Sequence, residues 1–494
     1  MIPGCEEILR LAQEYDTIPV CREIYADVVT PITLLRRIAG RSRRFFLLES
    51  VEGGEKWGRY SFLGCDPVLR VTLKNGRVVT EQADGTKTET ETETNRPYDI
   101  LREILETRRS PRIKGMPPFT GGFVGYFAYA MIGYAEPTLT ISRGGEQDFD
   151  LMLFDEVIAY DHLKQKISVV VNMETGDKAP ETLLGAYGKA CGRIEAIVRM
   201  IRDSSPLPES EPGRAKGFAS SFSKEEYCRR VEKTKEYIRN GDIFQAVISR
   251  QFTSPFEGSL LNAYRVLRTT NPSPYMVFMG IDGQEIISAS PETLVRLQDG
   301  RLTTFPVAGS RPRGATEEAD RELERELLAD EKELAEHNML VDLGRNDIGR
   351  IARFGTVEVT EYQMIHRYSR IMHICSQVEG DIRPDCDGCS AVEALLPAGT
   401  LSGAPKIRAC QIIEEMEEAP RGIYGGALGY LDFTGNLDTC IAIRMAVSRD
   451  GQVTVQAGGG IVADSVPERE YEESANKAGA VINAILRGNE VNEE

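Results

Sequence analysis

The chain has 494 residues, with 76 acidic against 59 basic side chains and a formal charge of -17. Its hydrophobic content of 41% suffices for a packed core, which excludes a disordered or fibrous chain. A surface this acidic repels phosphate backbones and anionic lipid headgroups, so we expect no nucleic acid and no membrane as partner. Ten scattered cysteines and an N-terminus without an apolar block predict a reduced, cytoplasmic protein.

Apolar and β-branched runs predict strands in the N-terminal part of the chain, at residues 45–50, 68–73, 151–154 and 167–171. The alternating Thr and Glu of residues 86–94 offer no apolar face, and they predict a solvated hairpin tip or loop. Residues 202–217 concentrate Pro, Ser, Gly and charge, which is typical of a linker. We therefore expect an N-terminal region at 10–201 and a C-terminal domain at 218–490.

The C-terminal part begins with a helix that its capping residues define. Ser223 is followed three residues later by Glu226, and Gly241 stands where a helix-ending glycine belongs. A charged helix is predicted from Glu317 to about Leu343, and a last helix from Pro467 to Ile485. Between the first of these helices and the charged helix, one more helix is predicted at 259–269, with strands at 243–252, 275–281, 285–289, 293–297 and 301–304. So many strands favour an α+β fold with large antiparallel sheets.

Three glycine clusters lie in the C-terminal part, at residues 306–314, 397–406 and 456–461. Glycine lets backbone N–H groups approach a ligand closely, and such groups bind anions. Any one cluster taken alone is typical of a tight turn. Three clusters in one domain, two of them beside Arg or Lys, favour an anionic small molecule. None fits the dinucleotide or P-loop pattern.

Two of the predicted helices carry carboxylates on one face. Glu333 and Glu336 share a face of the first helix, and Glu470, Glu473 and Lys477 share a face of the last. By spacing alone, both faces are typical of solvated helix surfaces. Carboxylates from two helices could also hold a Mg²⁺ jointly, because this cation prefers oxygen ligands. The spacing leaves both interpretations open.

Histidines and cysteines give weaker signals. His373 lies in an apolar strand-like run, which is typical of a core histidine. The four histidines form no HxxxH or HExxH pair, so no zinc site is predicted. Cys386 and Cys389 form one CxxC pair, and a structural zinc would need a second. The single tryptophan, Trp57, receives no role from the sequence.

The chain resembles the chorismate-binding enzymes over residues 10 to 485. The motifs that carry this resemblance are LLES at 47–50, DIFQ at 242–245, NPSPYM at 271–276 and ASPET at 289–293, then 306–310, 335–347, 397–406 and 437–444. The resemblance implies two large antiparallel β-sheets packed as a sandwich, with helices outside and the active site between the sheets. Within the family, the chain is most similar to the branch that makes anthranilate.

The resemblance also implies roles for matching residues. Glu292 matches the acid that protonates the departing C4 hydroxyl of chorismate, His373 matches the histidine linked to pyruvate loss, and Thr400 lines the same pocket. Glu336 and Glu473 match the Mg²⁺ ligands. The dianionic substrate is expected to bind at Gly309, Ser310, Tyr430, Arg444, Gly458, Gly459, Gly460 and Lys477. The implied reaction is ammonia attack at C2 with loss of the C4 hydroxyl, followed by elimination of pyruvate.

Two positions distinguish the branches of the family. Isochorismate and salicylate synthases place a Lys where Gln245 stands, as a base that activates water, whereas ammonia is already a competent nucleophile. Aminodeoxychorismate synthases typically carry a Lys at the position of Ala308, and alanine cannot attack the ring. Both residues indicate direct attack by ammonia at C2. Aminodeoxychorismate synthase remains the alternative enzyme, and a non-catalytic tryptophan-sensing homologue is the alternative from another class.

A partner and an inhibitor are implied in the same way. The chain has no Gly-x-Cys-x-Gly elbow of a glutaminase, so a separate glutamine amidotransferase subunit is expected to supply ammonia. L-tryptophan is expected to inhibit from a distant site, where a carboxylate and a hydroxyl suit its ammonium and indole groups. The matching residues are Glu49, Ser50, Pro274, Tyr275 and Met276. Alternatively, LLES is only a core strand and NPSPYM only a turn.

Overall fold

The computed structural model describes residues 1–50, 58–91, 96–207, 211–368 and 371–491. Trp57 and residues 92–94 of the predicted hairpin segment lie outside these ranges. None of the helices in the described ranges is long and apolar enough to cross a membrane.

The described strands are β1 (Thr17–Tyr25), β2 (Arg44–Glu49), β3 (Tyr60–Cys65), β4 (Leu69–Lys74), β5 (Arg77–Gln82), β6 (Lys87–Glu91), β7 (Gly122–Phe127), β8 (Phe149–Phe154), β9 (Glu156–Asp161), β10 (Lys166–Glu174), β11 (Arg214–Ala215), β12 (Ala219–Ser220), β13 (Gln245–Glu257), β14 (Tyr275–Ile281), β15 (Gln284–Ser290), β16 (Thr293–Gln298), β17 (Arg301–Thr304), β18 (Val307–Pro312), β19 (Glu358–Arg367), β20 (Ile371–Asp381), β21 (Gly403–Ala404), β22 (Ala427–Asp432), β23 (Leu437–Ile441), β24 (Met445–Arg449) and β25 (Gln452–Ile461).

The described α-helices are α1 (Cys5–Leu11), α2 (Pro31–Ala39), α3 (Asp99–Glu106), α4 (Ile132–Ala135), α5 (Pro180–Ile201), α6 (Lys224–Arg239), α7 (Leu261–Thr270), α8 (Glu317–Ala329), α9 (Glu331–Gly349), α10 (Gly388–Leu395), α11 (Lys406–Met416) and α12 (Pro467–Arg487).

The strands form two antiparallel sheets. The first has 13 strands in the order β1-β10-β9-β3-β2-β14-β15-β24-β25-β13-β11, with β12 and β21 also paired to β13. The second has 12 strands in the order β18-β20-β17-β16-β23-β22-β7-β8-β4-β5-β6, with β19 paired to β20. Leu47 of β2 pairs with Phe278 of β14, and Gly125 of β7 pairs with Gly429 of β22. The predicted linker at 202–217 therefore separates two lengths of chain that share both sheets.

The two sheets pack face to face through a shared apolar layer. Phe46 and Val277 of the first sheet lie in one buried cluster with Val124, Met152 and Leu428 of the second. Apolar area removed from water in this way stabilises the sandwich by about 25 cal/mol for each Å². Helices α5, α7 and α12 cover the outer face of the first sheet, and α9 and α10 pack against the second. The predicted α+β sandwich with outer helices is confirmed.

Several elements lie where short sequence patterns predict them. Strand β14 covers the predicted 275–281. The capping box of α6 is present, because Ser223 Oγ accepts from Glu226 N at 3.2 Å and Glu226 Oε2 accepts from Ser223 N at 2.9 Å. These features depend on neighbours in the sequence, so the sequence alone could predict them.

Two predictions about elements were wrong in part. The single helix predicted from Glu317 to Leu343 is two helices, because the Asp330 side chain accepts from Lys332 N and Glu333 N and starts α9 anew. The described part of the 86–94 segment is the edge strand β6, whose side chains are all exposed, rather than a loop tip. Pairing with β5 provides hydrogen-bond partners for the backbone of β6, although β6 buries no side chain.

Candidate active site

The candidate acid, Glu292, lies in the turn between β15 and β16. Thr400 Oγ1, in the 3₁₀ turn Gly399–Leu401, donates to Glu292 Oε1 at 2.9 Å. Burial raises the pKa of Glu292 to about 7, although the Thr400 hydroxyl and the Lys477 ammonium both lower it. A carboxyl that is half protonated near neutral pH can donate a proton to a leaving group. The structure brings these three predicted residues together.

A cationic group lies beside this acid. Arg444 has a φ of +49°, in the left-handed region that residues other than glycine rarely adopt. Its Nη1 donates to the Lys477 carbonyl at 2.8 Å, and Lys477 Nζ contacts the Gly458 carbonyl at 3.2 Å and Glu473 at 2.7 Å. Burial lowers the pKa of Arg444, and no described carboxylate forms a hydrogen bond with its guanidinium. The remaining donors can therefore take an anionic ligand.

A tyrosine that sequence reasoning missed belongs to this group. Burial raises the pKa of Tyr424 to about 12, and Arg421, Arg444 and a hydrogen bond from the Gly458 backbone lower it. Tyr424 precedes the glycine pair 425–426, which is a fourth glycine cluster and the signal that could have found it.

Tyr430, which was also predicted to bind the substrate, lies apart from this group. Its ring packs on Phe119 with centroids 4.4 Å apart, and it lines a different cavity, which contains the LLES segment. Tyr424 stands before β22 and Tyr430 near the end of that strand. Six residues of extended chain span about 20 Å, which is enough to carry the second tyrosine away from Arg444.

Gln245 is held against the glycine-rich strand β25. A Cβ on Gly460 would lie 2.3 Å from Gln245 Nε2, so a larger residue there would displace the end of this side chain. Gln245 Oε1 is buried, and no donor in the described ranges reaches it. A buried acceptor without a donor is rare in folded proteins. It fits a small ligand that carries N–H or O–H groups.

The pairing of β18 with β20 sets the position of His373. Ser310 lies opposite His373 in this ladder, and His373 Nδ1 donates to the Gly309 carbonyl at 3.1 Å. In a neutral ring, this bond makes Nε2 the acceptor nitrogen. Gly309 has a φ of +72°, and a Cβ there would lie 3.1 Å from Glu333 Oε2. His373 is half-buried beside the carboxylate helix α9 and is not a sealed core histidine.

The carboxylates predicted to hold Mg²⁺ face one another from α9 and α12. Burial raises the pKa of Glu336, Glu333 and Glu473 raise it further, and two lysines oppose this. Burial also raises the pKa of Glu470, and Glu473 adds to the effect. In the part of the chain that the structure describes, no three His, Cys, Asp or Glu side chains form a complete metal cage. Mg²⁺ often takes one or two carboxylates and fills its shell with water and substrate oxygens, so the pair Glu336 and Glu473 fits it.

A cavity of about 630 Å³ lies in the region predicted for the effector. The residues predicted there all line it, namely Glu49, Ser50, Pro274, Tyr275 and Met276. They meet because β2 and β14 are paired neighbours, with Glu49 opposite Met276. Tyr275 OH lies 3.0 Å from Thr293 Oγ1, and Thr293 follows Glu292 in the chain. One wall of the cavity therefore contacts the turn that carries the candidate acid.

The Glu49 carboxylate is not available to a ligand, which differs from the expectation. Its side chain is 0% exposed, and its oxygens accept from Arg268, Tyr264 and Ser61. The cavity has another carboxylate in its wall, that of Asp438, which is 18% exposed and pairs with Arg296 at 2.9 Å. Glu49 thus stabilises the wall, whereas Asp438 faces the space.

The cysteine pair shows no sign of reactive chemistry. Cys386 and Cys389 are free thiols on either side of Asp387, whose side chain accepts from Ser390 N and caps α10. Cys389 is buried, and burial raises the pKa of its thiol. A neutral buried thiol is a poor nucleophile and a poor metal ligand. The pair marks the start of a helix.

Comparison with known proteins gives consistent matches. A family model described as chorismate binding enzyme matches residues 45–483. Anthranilate synthase component 1 of Acetivibrio thermocellus is 47% identical, with 99% of each chain covered, and that of Aquifex aeolicus is 44% identical at the same coverage. The crystal structure of anthranilate synthase component I from Streptococcus pneumoniae TIGR4 has a TM-score of 0.75 at 35% identity, covering 93% of this chain and 98% of that one. The menaquinone-specific isochorismate synthase of Escherichia coli shares the fold, with a TM-score of 0.68 at 19% identity over 98% of each chain.

Proposed function

The chain belongs to the chorismate binding enzyme family, and we propose that it catalyses the anthranilate synthase reaction of L-tryptophan biosynthesis. Chorismate and ammonia would give anthranilate, pyruvate and water. The observation that carries the proposal is the Glu292 carboxyl, which burial holds partly protonated near neutral pH and which Thr400 orients. The relatives at 47% and 44% identity carry the same assignment in their names.

Substrate binding follows from the charges of the site. Arg444 and Lys477 provide donors for the two carboxylates of chorismate, and Lys477 also contacts the Gly458 carbonyl of β25. A Cβ at Gly459 would lie 2.9 Å from Glu470 Oε2, so a side chain there would press on the carboxylate helix. Glu336 and Glu473 would hold Mg²⁺, which when bound supplies positive charge to a substrate carboxylate.

In the first step, protonated Glu292 gives its proton to the C4 hydroxyl, which leaves as water. Ammonia forms the new C–N bond at C2, and the two ring double bonds shift as the C4–O bond breaks. Gln245 Oε1, a buried acceptor, can hold an N–H of the attacking ammonia. The nitrogen then releases its extra proton to solvent, which leaves the amino group neutral, and Glu292 takes a proton back from solvent.

In the second step, the C2–H and C3–O bonds break and the ring becomes aromatic. His373, held through Nδ1 by the Gly309 carbonyl, offers Nε2 as a proton acceptor. The enolpyruvyl group takes up a proton on its methylene carbon and leaves as pyruvate. Proton release and uptake therefore balance over the two steps.

We propose further that a glutaminase subunit supplies the ammonia, since the relatives bear the name component 1 and this chain has no glutaminase motif. L-tryptophan is proposed to bind the cavity of about 630 Å³, a size that suits a small organic ligand. The contact of Tyr275 with Thr293 supports feedback from this cavity to Glu292.

Purified chain mixed with chorismate, Mg²⁺ and ammonium at a pH of about 8 should produce anthranilate, measured by its fluorescence. Glu292→Gln serves as the matched control and should be slower by about 10²-fold or more. Formation of 4-amino-4-deoxychorismate would instead indicate the aminodeoxychorismate synthase alternative. Binding of chorismate by calorimetry without any product would indicate the non-catalytic homologue.

A further inference from the structure

One buried guanidinium, that of Arg421, joins segments that converge on the candidate active site. Its side chain is 2% exposed and lies between α11 and β22. Nη1 donates to the Leu401 carbonyl at 2.5 Å, and Nη2 donates to the Val247 carbonyl at 2.7 Å. Leu401 directly follows Thr400, and Val247 lies two residues after Gln245. Two residues of the site thus belong to segments that share one guanidinium.

Aromatic rings hold the same guanidinium in place. Arg421 Cζ lies 4.5 Å from the ring centroid of Tyr129 and 5.8 Å from that of Tyr424. A planar cation over aromatic rings has a defined orientation. Because Tyr424 also contacts the Gly458 backbone, Arg421 reaches a third segment of the site.

Glu417 completes the arrangement by balancing the charge. Arg421 Nε donates to Glu417 Oε2 at 2.8 Å, and Nη2 donates to Oε1 at 2.6 Å. Glu417 Oε1 also accepts from Ser249 N at 2.7 Å and from Ser249 Oγ at 2.9 Å. A buried ion pair seldom makes a fold more stable than an apolar pair of similar volume would. Its geometric specificity is the property that an apolar pair could not replace.

We infer that Arg421 is a positioning residue. Through the Leu401 carbonyl it holds Thr400 against Glu292. Through the Val247 carbonyl it holds Gln245 against Gly460. The inference rests on the proposed function, since it concerns the setting of the proposed acid. A lysine at this position carries the charge but lacks the fork that reaches two carbonyls and a carboxylate together.

Several groups in the described part of the chain lie near Glu292. The Thr400 hydroxyl donates to it, Lys477 approaches from α12, the Cys375 thiol lies nearby on β20, and Asp347 of α9 lines the same small cleft. Among these, Thr400 is the one whose loop Arg421 holds.

Loosening this loop weakens a hydrogen bond to the carboxylate, and this favours the protonated form of Glu292. The pH above which kcat falls, called here the basic limb, should therefore move upward.

Arg421→Lys should lower kcat by about 10²-fold, because a misplaced catalytic loop is costly, and should leave the KM for chorismate almost unchanged. Its basic limb, measured at a fixed concentration of free ammonia, should lie at higher pH than in the wild type. In a Thr400→Val background, the same substitution should move the limb no further. The inference would be overturned if the basic limb of Arg421→Lys lay at the wild-type pH. It would also be overturned if Arg421→Lys moved the limb equally far in the Thr400→Val background.

Arg37→Lys is the matched control. Arg37 is 7% exposed and donates to the Ser205 carbonyl at 3.2 Å, and its helix α2 packs on β2 and β3. This variant should keep the wild-type kcat and limb. If Arg421→Lys does not fold, Glu417→Gln combined with Arg421→Gln removes both buried charges and should give the same limb shift. A wild type without anthranilate production would contradict the proposed function, whereas an active wild type with an unmoved limb contradicts only the positioning role.

Discussion

Glu292→Gln should greatly lower the activity and also make the folded chain more stable than the wild type at alkaline pH. The substitution keeps the size of the side chain and an oxygen that can accept from Thr400 Oγ1, which donates to Glu292 Oε1 at 2.9 Å. It removes the acidic proton, so the activity should fall by about 10²- to 10⁴-fold. It also removes a carboxylate whose ionisation burial makes unfavourable.

The magnitude follows from the pKa of Glu292, which burial raises from 4.5 to about 7. Because the folded state binds the proton more tightly than the unfolded chain, ionisation destabilises the fold as the pH rises from 4.5 through 7. At about 1.4 kcal/mol for each factor of ten in proton affinity, the free-energy cost is about 1.4 kcal/mol at a pH of about 5.5. It reaches about 3 kcal/mol at a pH of about 8.5.

Urea unfolding followed by circular dichroism at these two pH values measures the effect. The variant should gain about 2 kcal/mol over the wild type between them, and any effect of the substitution that is independent of pH cancels. Glu81→Gln is the control, because Arg44 offsets the effect of burial and holds the pKa of Glu81 below its ordinary value of 4.5. That carboxyl is ionised throughout this window in both states. A constant stability difference for Glu292→Gln would refute the argument that burial keeps this carboxyl protonated.

Three further substitutions test the other parts of the site. Ser50→Phe should fill part of the cavity of about 630 Å³ and abolish inhibition by L-tryptophan at unchanged kcat; full inhibition would mean that the effector binds elsewhere. Glu473→Gln should lower the affinity for Mg²⁺ by about 10-fold or more, and Mn²⁺ binding measured by electron paramagnetic resonance should show the same loss of affinity. Arg444→Lys should raise the KM for chorismate by about 10-fold or more, and an unchanged KM would exclude a contact with the substrate.

Much of the fold was predictable because its signals are local. The apolar run of 275–281 predicts β14 without reference to any partner, and Ser223 with Glu226 predicts the start of α6. The break at Asp330 was equally local, since an aspartate is a strong helix N-cap, and the charged pattern on both sides concealed it. Periodicity and capping involve residues a few positions apart, so they can be read from the chain itself.

Part of the candidate site was predictable for a related reason. LLES and NPSPYM lie on or beside strands that pair directly, so the residues of both motifs reach one cavity. Helical spacing is enough to place Glu333 with Glu336 and Glu470 with Glu473. Which of two nearby tyrosines faces Arg444 could not be deduced, because that depends on how β22 is oriented between its neighbours.

The sequence by itself thus determined the elements, the faces of the helices and the motifs that mark the family. Tertiary structure alone decided that the Glu49 carboxylate is sealed by Arg268, and that Arg421 joins the Thr400 loop to β13. It also decided the proton affinity of Glu292, which depends on burial and on a hydroxyl 108 residues away in the chain. The physical reason is that propensity and periodicity act between neighbours in the chain, whereas burial and electrostatic interactions depend on distances in space.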